Sequence, residues 1–175
     1  MNDTDDELLD LVDENDMVVG TINRADYRKL VNESLGYIRA AELFIVNDKG
    51  QVWTPVRTAD KTIAPNGYDY SASGHVGAGE TYLQALIRET KEEINLDISE
   101  SELVFMAKIK SDDIRYFRSL YMLRSNVAPE FNPNDFVSAA WLQPDELIAS
   151  IANGHPAKQS LRASVAMLID YLADR

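Results

Sequence analysis

The sequence contains no cysteine among its 175 residues, which excludes disulfides, thiolate metal ligands and a cysteine nucleophile. Basic residues are scarce, since 17 Lys and Arg stand against 29 Asp and Glu, for a net charge of −12. An acidic surface repels phosphodiester backbones, so we expect no nucleic-acid polymer as a partner. No apolar run reaches the roughly 18–20 residues that span a bilayer. The start of the chain is acidic where a secretory signal would be basic. These absences predict a cytoplasmic protein that does not contact a membrane.

The hydrophobic content and the length of the sequence indicate one folded domain. Hydrophobic residues make up 45% of the chain, which is enough for a core at this size. A domain typically takes about 100–200 residues, and we find no repeat and no low-complexity linker. We therefore predict a single domain over residues 1–175, with a frayed acidic terminus over residues 1–7. The sequence leaves a monomer and a homodimer equally open.

The hydrophobic periodicity predicts a mixture of strands and helices. In chain order we expect a hairpin over 8–22, a short helix over 24–32, strands over 37–46 and 51–56 joined by a turn, a strand over 69–73, a helix from residue 81, strands over 103–109 and 116–123, a strand ending at 142, and helices over 144–152 and from 161. The turn at 47–50 contains Asn, Asp and Gly, as hairpins between strands do.

A glycine-rich loop precedes the helix that begins near residue 81. Gly74, Gly77 and Gly79 allow a ligand to approach the backbone closely just before a helix N-terminus. Thr81 and Gln84 have capping-box spacing, which marks the start of that helix. The glycine spacing matches neither a Walker loop nor the dinucleotide fingerprint.

Three carboxylates share one face of the same helix. Glu89, Glu92 and Glu93 stand at i, i+3 and i+4, so they lie within about a third of the helix circumference. Like charges this close repel each other, and a divalent cation such as Mg²⁺ or Mn²⁺, which prefers oxygen ligands, would offset the repulsion. A solvated acidic face paired with Arg88 or Lys91 is the alternative that spacing alone leaves open.

Loop and helix together resemble the Nudix box of the Nudix hydrolase family, also known as MutT-like. The match runs over 74–96. Five residues separate Gly74 from Glu80, and seven more separate Glu80 from the stretch Arg88-Glu89-Thr90-Lys91-Glu92-Glu93-Ile94-Asn95-Leu96. Asn95 stands where the family has glycine, and asparagine also tolerates the left-handed conformation that ends helices. Thr90 replaces an aliphatic residue. Neither departure removes a metal ligand.

The resemblance implies a role for each residue of the box. Glu89, Glu92 and Glu93 would ligate Mg²⁺ or Mn²⁺ together with the carbonyl of Gly74. Glu89 would also activate the attacking water. Arg88 would orient the carboxylates, and Glu80 would support the junction between loop and helix. A loop carboxylate could replace Glu89 as the base, and the candidates are Asp112, Asp113 and Asp135.

The same resemblance implies a fold and an activity. The fold is of the α/β (α+β) class, a three-layer α/β/α sandwich around a mixed sheet. The activity is divalent-metal-dependent hydrolysis of a diphosphate bond in a nucleoside di- or triphosphate, or in a nucleoside diphosphate linked to another moiety. The partner would therefore be a small-molecule nucleotide or diphosphate.

Features outside the box are similar to the branch near isopentenyl-diphosphate isomerase. They are Arg57 with Lys61 and Pro65, the pair Trp141-Leu142, and the acidic turn of the N-terminal hairpin. By this resemblance Arg57 and Lys61 would bind substrate phosphates. The isomerase uses a cysteine immediately before the box glycine, whereas this chain has Ser73 there. Isomerase-like activity and non-catalytic nucleotide binding remain the alternatives to hydrolysis.

Five aromatic and histidine side chains are additional candidates for ligand contact. Tyr68, Tyr70 and Phe117 could stack on a base, although aromatic side chains more commonly pack in the core. His75 follows the box glycine and could contact phosphate or serve only as a structural residue. For His155 we expect a structural or exposed position.

Overall fold

A six-stranded mixed sheet forms the centre of the protein. The structure, a computed structural model, describes residues 6–174. The strands of this part are β1 (Leu8–Val12), β2 (Val18–Asn23), β3 (Ile38–Val46), β4 (Val52–Arg57), β5 (Ala72–His75), β6 (Leu103–Ser111), β7 (Tyr116–Arg124) and β8 (Phe136–Leu142). The α-helices are α1 (Tyr27–Glu33), α2 (Tyr82–Ile94), α3 (Pro144–Ala152) and α4 (Leu161–Ala173). The predicted order of elements is confirmed.

The sheet is mixed because one central pair of strands is parallel. Its order is β6-β7-β3-β4-β8, and β5 pairs with β3 beside this path. β3 runs parallel to β7, whereas its pairings with β4 and β5 are antiparallel. β5 is paired with one half of β3, and β4 meets the other half at Val46. β3 is therefore the strand that connects the two halves of the sheet.

The alternation of side chains along β3 separates the two faces of the sheet. Leu43 and Ile45 belong to the core cluster that includes Leu86 and Ile94 of α2. Phe44 and Val46 belong to a second cluster on the opposite face, with residues of α3 and α4. Successive strand residues point to opposite faces, so the sheet has a helical layer on each side. The predicted three-layer sandwich is confirmed.

The β1–β2 hairpin covers one end of the sheet. Leu9 is fully buried and packs with Leu30 of α1 and Ile38 of β3. Arg39 of β3 binds Asp16 in the hairpin turn, with a Nε–Oδ1 distance of 2.5 Å. This ion pair lies on the face of the sheet opposite the cavity described below, and it holds the hairpin against β3.

The prediction of a frayed terminus over residues 1–7 is wrong at its last residue. Residues 1–5 lie outside the described part of the chain. Glu7 is held by an ion pair with Arg24, in which Oε2 and Nη1 are 3.2 Å apart. Its backbone carbonyl also accepts a hydrogen bond from the N–H of Arg24. In the described range 6–174, none of the helices has the length and apolar character required to cross a membrane.

Candidate active site

Local sequence rules determine where α2 begins and ends. The Thr81 hydroxyl accepts a hydrogen bond from the N–H of Gln84, and the Gln84 side chain accepts one from the N–H of Thr81. These two bonds form the predicted capping box. Asn95 ends the helix with φ 48°, in the left-handed conformation expected for the residue that replaces the family's glycine. The helix therefore presents Glu89, Glu92 and Glu93 at the predicted spacing.

Gly74 is required because the side chain of Glu89 packs directly against it. A Cβ atom placed on Gly74 would lie only 2.5 Å from Glu89 Cγ and closer still to its carboxylate carbon. Glu89 is fully buried, and Arg88 Nη1 donates a hydrogen bond to its Oε1 over 2.7 Å. Burial raises the pKa of Glu89 to about 7, against the opposing effect of the Arg88 guanidinium. Its second oxygen, Oε2, is buried without a hydrogen-bond partner.

Glu93 lies one turn further along α2 and is also buried. Its Oε2 accepts a hydrogen bond of 2.9 Å from the backbone N–H of Ser73. Burial raises its pKa to about 8, and the nearby carboxylate of Asp69 adds to the rise. Lys158 opposes the shift. Two box glutamates thus contact the adjacent residues Ser73 and Gly74, and a cation would stabilise their charged forms.

Glu92 and Arg88 occupy the exposed side of the helix. The side chain of Glu92 is 48% exposed, and its Oε2 lies 3.6 Å from Arg88 Nη1. Arg88 also donates hydrogen bonds of 2.9 and 2.8 Å to the two oxygens of Glu80. Glu80 in turn accepts a hydrogen bond from the N–H of Gly77. Glu80 and Arg88 thereby connect the glycine-rich loop to the helix.

The three box carboxylates are not gathered around one point. Across residues 6–174, no three His, Cys, Asp or Glu side chains are close enough together to hold a metal ion. The separation has a physical reason, since Glu92 pairs with Arg88 and uncompensated carboxylates repel one another. The unpartnered Oε2 of Glu89 is the observation that favours a cation, because a buried oxygen without a partner is costly.

A cavity of about 370 Å³ opens beside this part of the box. Both Gly74 and Glu93 line it. The strand residues that line it are Ala40 and Glu42 of β3, Ser73 and His75 of β5, and Tyr116 and Arg118 of β7. Their pairing places them on one face of the sheet, the face that α3 and α4 cover elsewhere. The cavity therefore lies where the helical layer leaves the sheet uncovered.

The cavity is basic although the protein is acidic. Its lining includes five cationic side chains, namely Arg24, Arg57, Lys61, Arg118 and Lys158, against the two carboxylates Glu42 and Glu93. In a chain of net charge −12 this local excess favours an anionic ligand. Sequence reasoning identified Arg57, Lys61 and Glu93 but missed the other four. A charged residue next to apolar residues within a predicted strand was the available signal for Glu42 and Arg118.

The two predicted phosphate-binding residues line the cavity but already have protein partners. Arg57 Nε donates to the carbonyl of Ile63 over 2.7 Å, and Arg57 Nη1 binds Asp69. Lys61 Nζ donates to Asp135 Oδ1 over 2.7 Å. These pairs fix both cations at the edge of the cavity. They also explain why Asp69 and Asp135 are buried, since each carboxylate neutralises a cation.

The three reserve carboxylates are not among the described residues that line the cavity. Asp112 lies in the exposed β6–β7 turn, where it accepts a hydrogen bond of 2.6 Å from the hydroxyl of Tyr37. Asp113 is exposed in the same turn. Asp135 is 1% exposed and binds Lys61. Glu89, the remaining predicted base, is not among the described lining residues either, and it is buried against Gly74, which lines the cavity.

The predicted base-stacking residues are structural. Tyr70 is fully buried against Phe44, and Phe117 is 6% exposed and packs on Tyr37. The rings of Tyr68 and His155 pack on each other at 3.9 Å between centroids. None of these four candidates is among the described residues that line the cavity.

His75 lines the cavity, where its Nε2 shares a 2.8 Å hydrogen bond with the Tyr116 hydroxyl. Burial lowers the pKa of this imidazole, which favours its neutral form.

Comparison with known proteins decides the family. The family model described as NUDIX domain matches residues 36–164. The chain is a Nudix hydrolase. It is 39% identical over 163 residues to an uncharacterized Nudix hydrolase of Nostoc sp., covering 92% of this chain and 95% of that one. As a family, Nudix hydrolases generally use divalent metals and act on small-molecule nucleotide substrates.

This Nudix hydrolase is also similar to a solved structure and to an isomerase. A crystal structure from Deinococcus radiodurans aligns with a TM-score of 0.80 and 38% identity, covering 91% of this chain and 98% of that one. An isopentenyl-diphosphate Delta-isomerase of Photorhabdus laumondii is 32% identical over 137 residues, which cover 75% of this chain and 76% of that one. The resemblance to the Nudix family is confirmed, and isomerase-like relatives exist.

Proposed function

We propose that the chain is a divalent-metal-dependent pyrophosphohydrolase. Its substrate is a nucleoside di- or triphosphate, or a nucleoside diphosphate linked to another moiety. The observation that carries the proposal is that Glu89 packs against Gly74 and Glu93 binds the N–H of Ser73, next to a cavity with an excess of cationic side chains. Carboxylates and cations side by side fit a ligand made of a metal ion and a diphosphate.

The residues that would hold Mg²⁺ or Mn²⁺ are Glu89, Glu92 and Glu93, together with the carbonyl of Gly74. Oε2 of Glu89 supports this assignment because it is buried and unpartnered. A bound divalent cation would neutralise the diphosphate and lower the pKa of a bound water. Arg88 holds the first oxygen of Glu89 and so keeps the second oxygen available.

The protein's own side chains carry out the remaining steps. The cationic lining attracts the diphosphate and keeps it in the cavity. Glu89 accepts a proton from the attacking water while the oxygen of that water forms a bond to phosphorus. The anhydride P–O bond breaks on the opposite side, and the departing phosphate takes the electron pair. Arg57 and Lys61 are held in place by Asp69 and Asp135, and they face the negative charge that develops on the departing phosphate.

The test is phosphate release from a panel of nucleoside di- and triphosphates and nucleotide-linked diphosphates, with Mg²⁺ and with Mn²⁺. We expect turnover with the wild type and a loss on the order of 100-fold or more in Glu93→Gln. Glu33→Gln is the matched control, because Glu33 is an exposed glutamate at the end of α1. A folded wild type that is inactive on the whole panel would contradict the proposal.

Isomerisation of isopentenyl diphosphate is the second candidate, because one relative carries that name. Ser73 occupies the position of the isomerase cysteine, and its Oγ accepts a hydrogen bond of 2.7 Å from Lys158. A hydroxyl is a far weaker acid than a thiol, so it protonates a carbon–carbon double bond poorly. Conversion of isopentenyl to dimethylallyl diphosphate by the wild type would reverse this order of preference.

A further inference from the structure

Arg118 of β7 is a buried cation at the floor of the cavity. Its side chain is 9% exposed, and it extends from the sheet face that lines the cavity. One end of its guanidinium is used within the protein. Nη1 lies 3.2 and 3.4 Å from the two oxygens of Glu42 and 3.4 Å from the hydroxyls of Tyr70 and Ser164. These four contacts come from β3, α4 and the segment before β5, so Arg118 is held from several sides.

The other edge of the guanidinium has a donor without a partner. Nε of Arg118 is buried and makes no hydrogen bond with any residue of the described chain. A buried N–H left unpaired costs about 1–3 kcal/mol, and more for a charged group. The guanidinium is planar, and its Nε edge presents two parallel donors that match a phosphate or carboxylate. A guanidinium held through Nη1, with its buried Nε–H unpaired, is therefore prepared for an anion.

The other cations of the cavity differ from Arg118 in this respect. Arg57 has its Nε bonded to the carbonyl of Ile63 and its Nη1 bonded to Asp69. Lys158 donates to Ser73 Oγ over 2.7 Å and lies 3.0 Å from Asp69 Oδ1. Arg118 is thus the cavity cation for which the structure shows a buried donor left without a partner.

We propose that Arg118 binds a phosphoryl group of the substrate through its Nε edge, at the floor of the cavity. The inference rests on the proposed function and deepens it by adding a substrate-binding residue to the side of the cavity formed by β3 and β7. Phosphate is preferred over a neutral group because the cavity lining is cationic in excess. The carboxylate of Glu42 occupies Nη1 and so leaves the Nε edge as the anion-binding one.

The test uses methylenediphosphonate, a diphosphate analogue that water cannot cleave, added to the metal-free wild type. The Nε–H resonance of Arg118 in ¹⁵N-labelled protein is assigned by its absence in Arg118→Lys. We expect it to shift on titration. By calorimetry we expect Arg118→Lys to bind about 10-fold more weakly and Arg118→Gln about 10- to 100-fold more weakly, because a charge-assisted bidentate contact is lost.

Two controls keep the outcome interpretable. Arg124→Gln alters an exposed arginine on the same strand and leaves the affinity unchanged. Loss of Arg118 alone leaves Glu42 buried beside no cation, so the double variant Glu42→Gln/Arg118→Gln is measured as well. It must also bind weakly. An Nε–H resonance that stays in place at saturation, wild-type affinity in Arg118→Lys, or no binding by the wild type would each overturn the proposal.

The binding result is separate from catalysis. If the wild type binds methylenediphosphonate through Arg118 but hydrolyses no diphosphate, the phosphoryl site stands and the hydrolase proposal fails. If the wild type hydrolyses diphosphates while Arg118→Lys binds the analogue normally, the hydrolase proposal stands and the role of Arg118 is refuted.

Discussion

Replacement of Gly74 by alanine tests the close contact between the loop and α2. The new methyl group would lie 2.5 Å from Cγ of Glu89, where van der Waals contact needs about 3.5–4.0 Å. Glu89 is fully buried and cannot move into solvent without breaking its bond to Arg88. We expect Gly74→Ala to destabilise the protein by about 1–3 kcal/mol, the usual cost of overpacking. For a chain of this size, the melting temperature would fall by about 2–4 °C per kcal/mol.

The contact with Glu89 can be isolated by a double-mutant cycle. In the Glu89→Ala background the atoms that collide with the methyl group are gone, so adding Gly74→Ala should cost little. Urea unfolding of the four proteins in EDTA measures the coupling energy between the two substitutions. We expect this energy to account for most of the stability that Gly74→Ala alone loses. If Gly74→Ala destabilises both backgrounds equally, the strain lies in the backbone and the reasoning is refuted. The same movement of Glu89 should reduce diphosphate hydrolysis.

Two other perturbations have outcomes that follow from the structure. The pKa of Glu80 is held below its usual value by the hydrogen bond from Arg88, so its stabilising effect is present above the ordinary carboxylate pKa and is lost as the pH falls through the lowered one. In EDTA, Glu80→Gln should therefore melt below the wild type at pH 7, with the difference closing toward pH 3. A constant difference would show that the ion pair does not contribute. Asn95 has φ 48°, so Asn95→Ala should lose about 1 kcal/mol in urea unfolding whereas Asn95→Gly should be neutral or stabilising. Equal losses would contradict the left-handed helix end.

Local features of the site could be predicted because they depend on residues close together in the chain. The capping box of Thr81 and Gln84 and the helix end at Asn95 follow from short-range rules, and the structure confirms both. The spacing of Glu89, Glu92 and Glu93 on one face follows from helix geometry. These features account for the correct prediction of the box helix.

Features that depend on strand pairing could not be predicted. Arg118 and Glu42 are 76 residues apart, and they meet because β3 and β7 pair in parallel. Lys158 reaches Ser73 across 85 residues. No local pattern specifies such contacts, so the sequence offered Arg57, Lys61 and His75 for phosphate contact and missed Arg118. Burial of Tyr70 and Phe117, which excludes them from stacking on a base, depends on the same tertiary packing.

In the proposed mechanism the box glutamates hold a divalent metal that hydrolysis requires. Electron paramagnetic resonance of Mn²⁺ measures bound metal directly, and the same samples can be assayed for phosphate release from a diphosphate substrate. We predict that the wild type binds Mn²⁺ and hydrolyses the substrate, that EDTA abolishes hydrolysis, and that Glu93→Gln loses both binding and turnover while Glu33→Gln keeps both. Hydrolysis that persists after chelation, or wild-type Mn²⁺ binding by Glu93→Gln, would contradict the account.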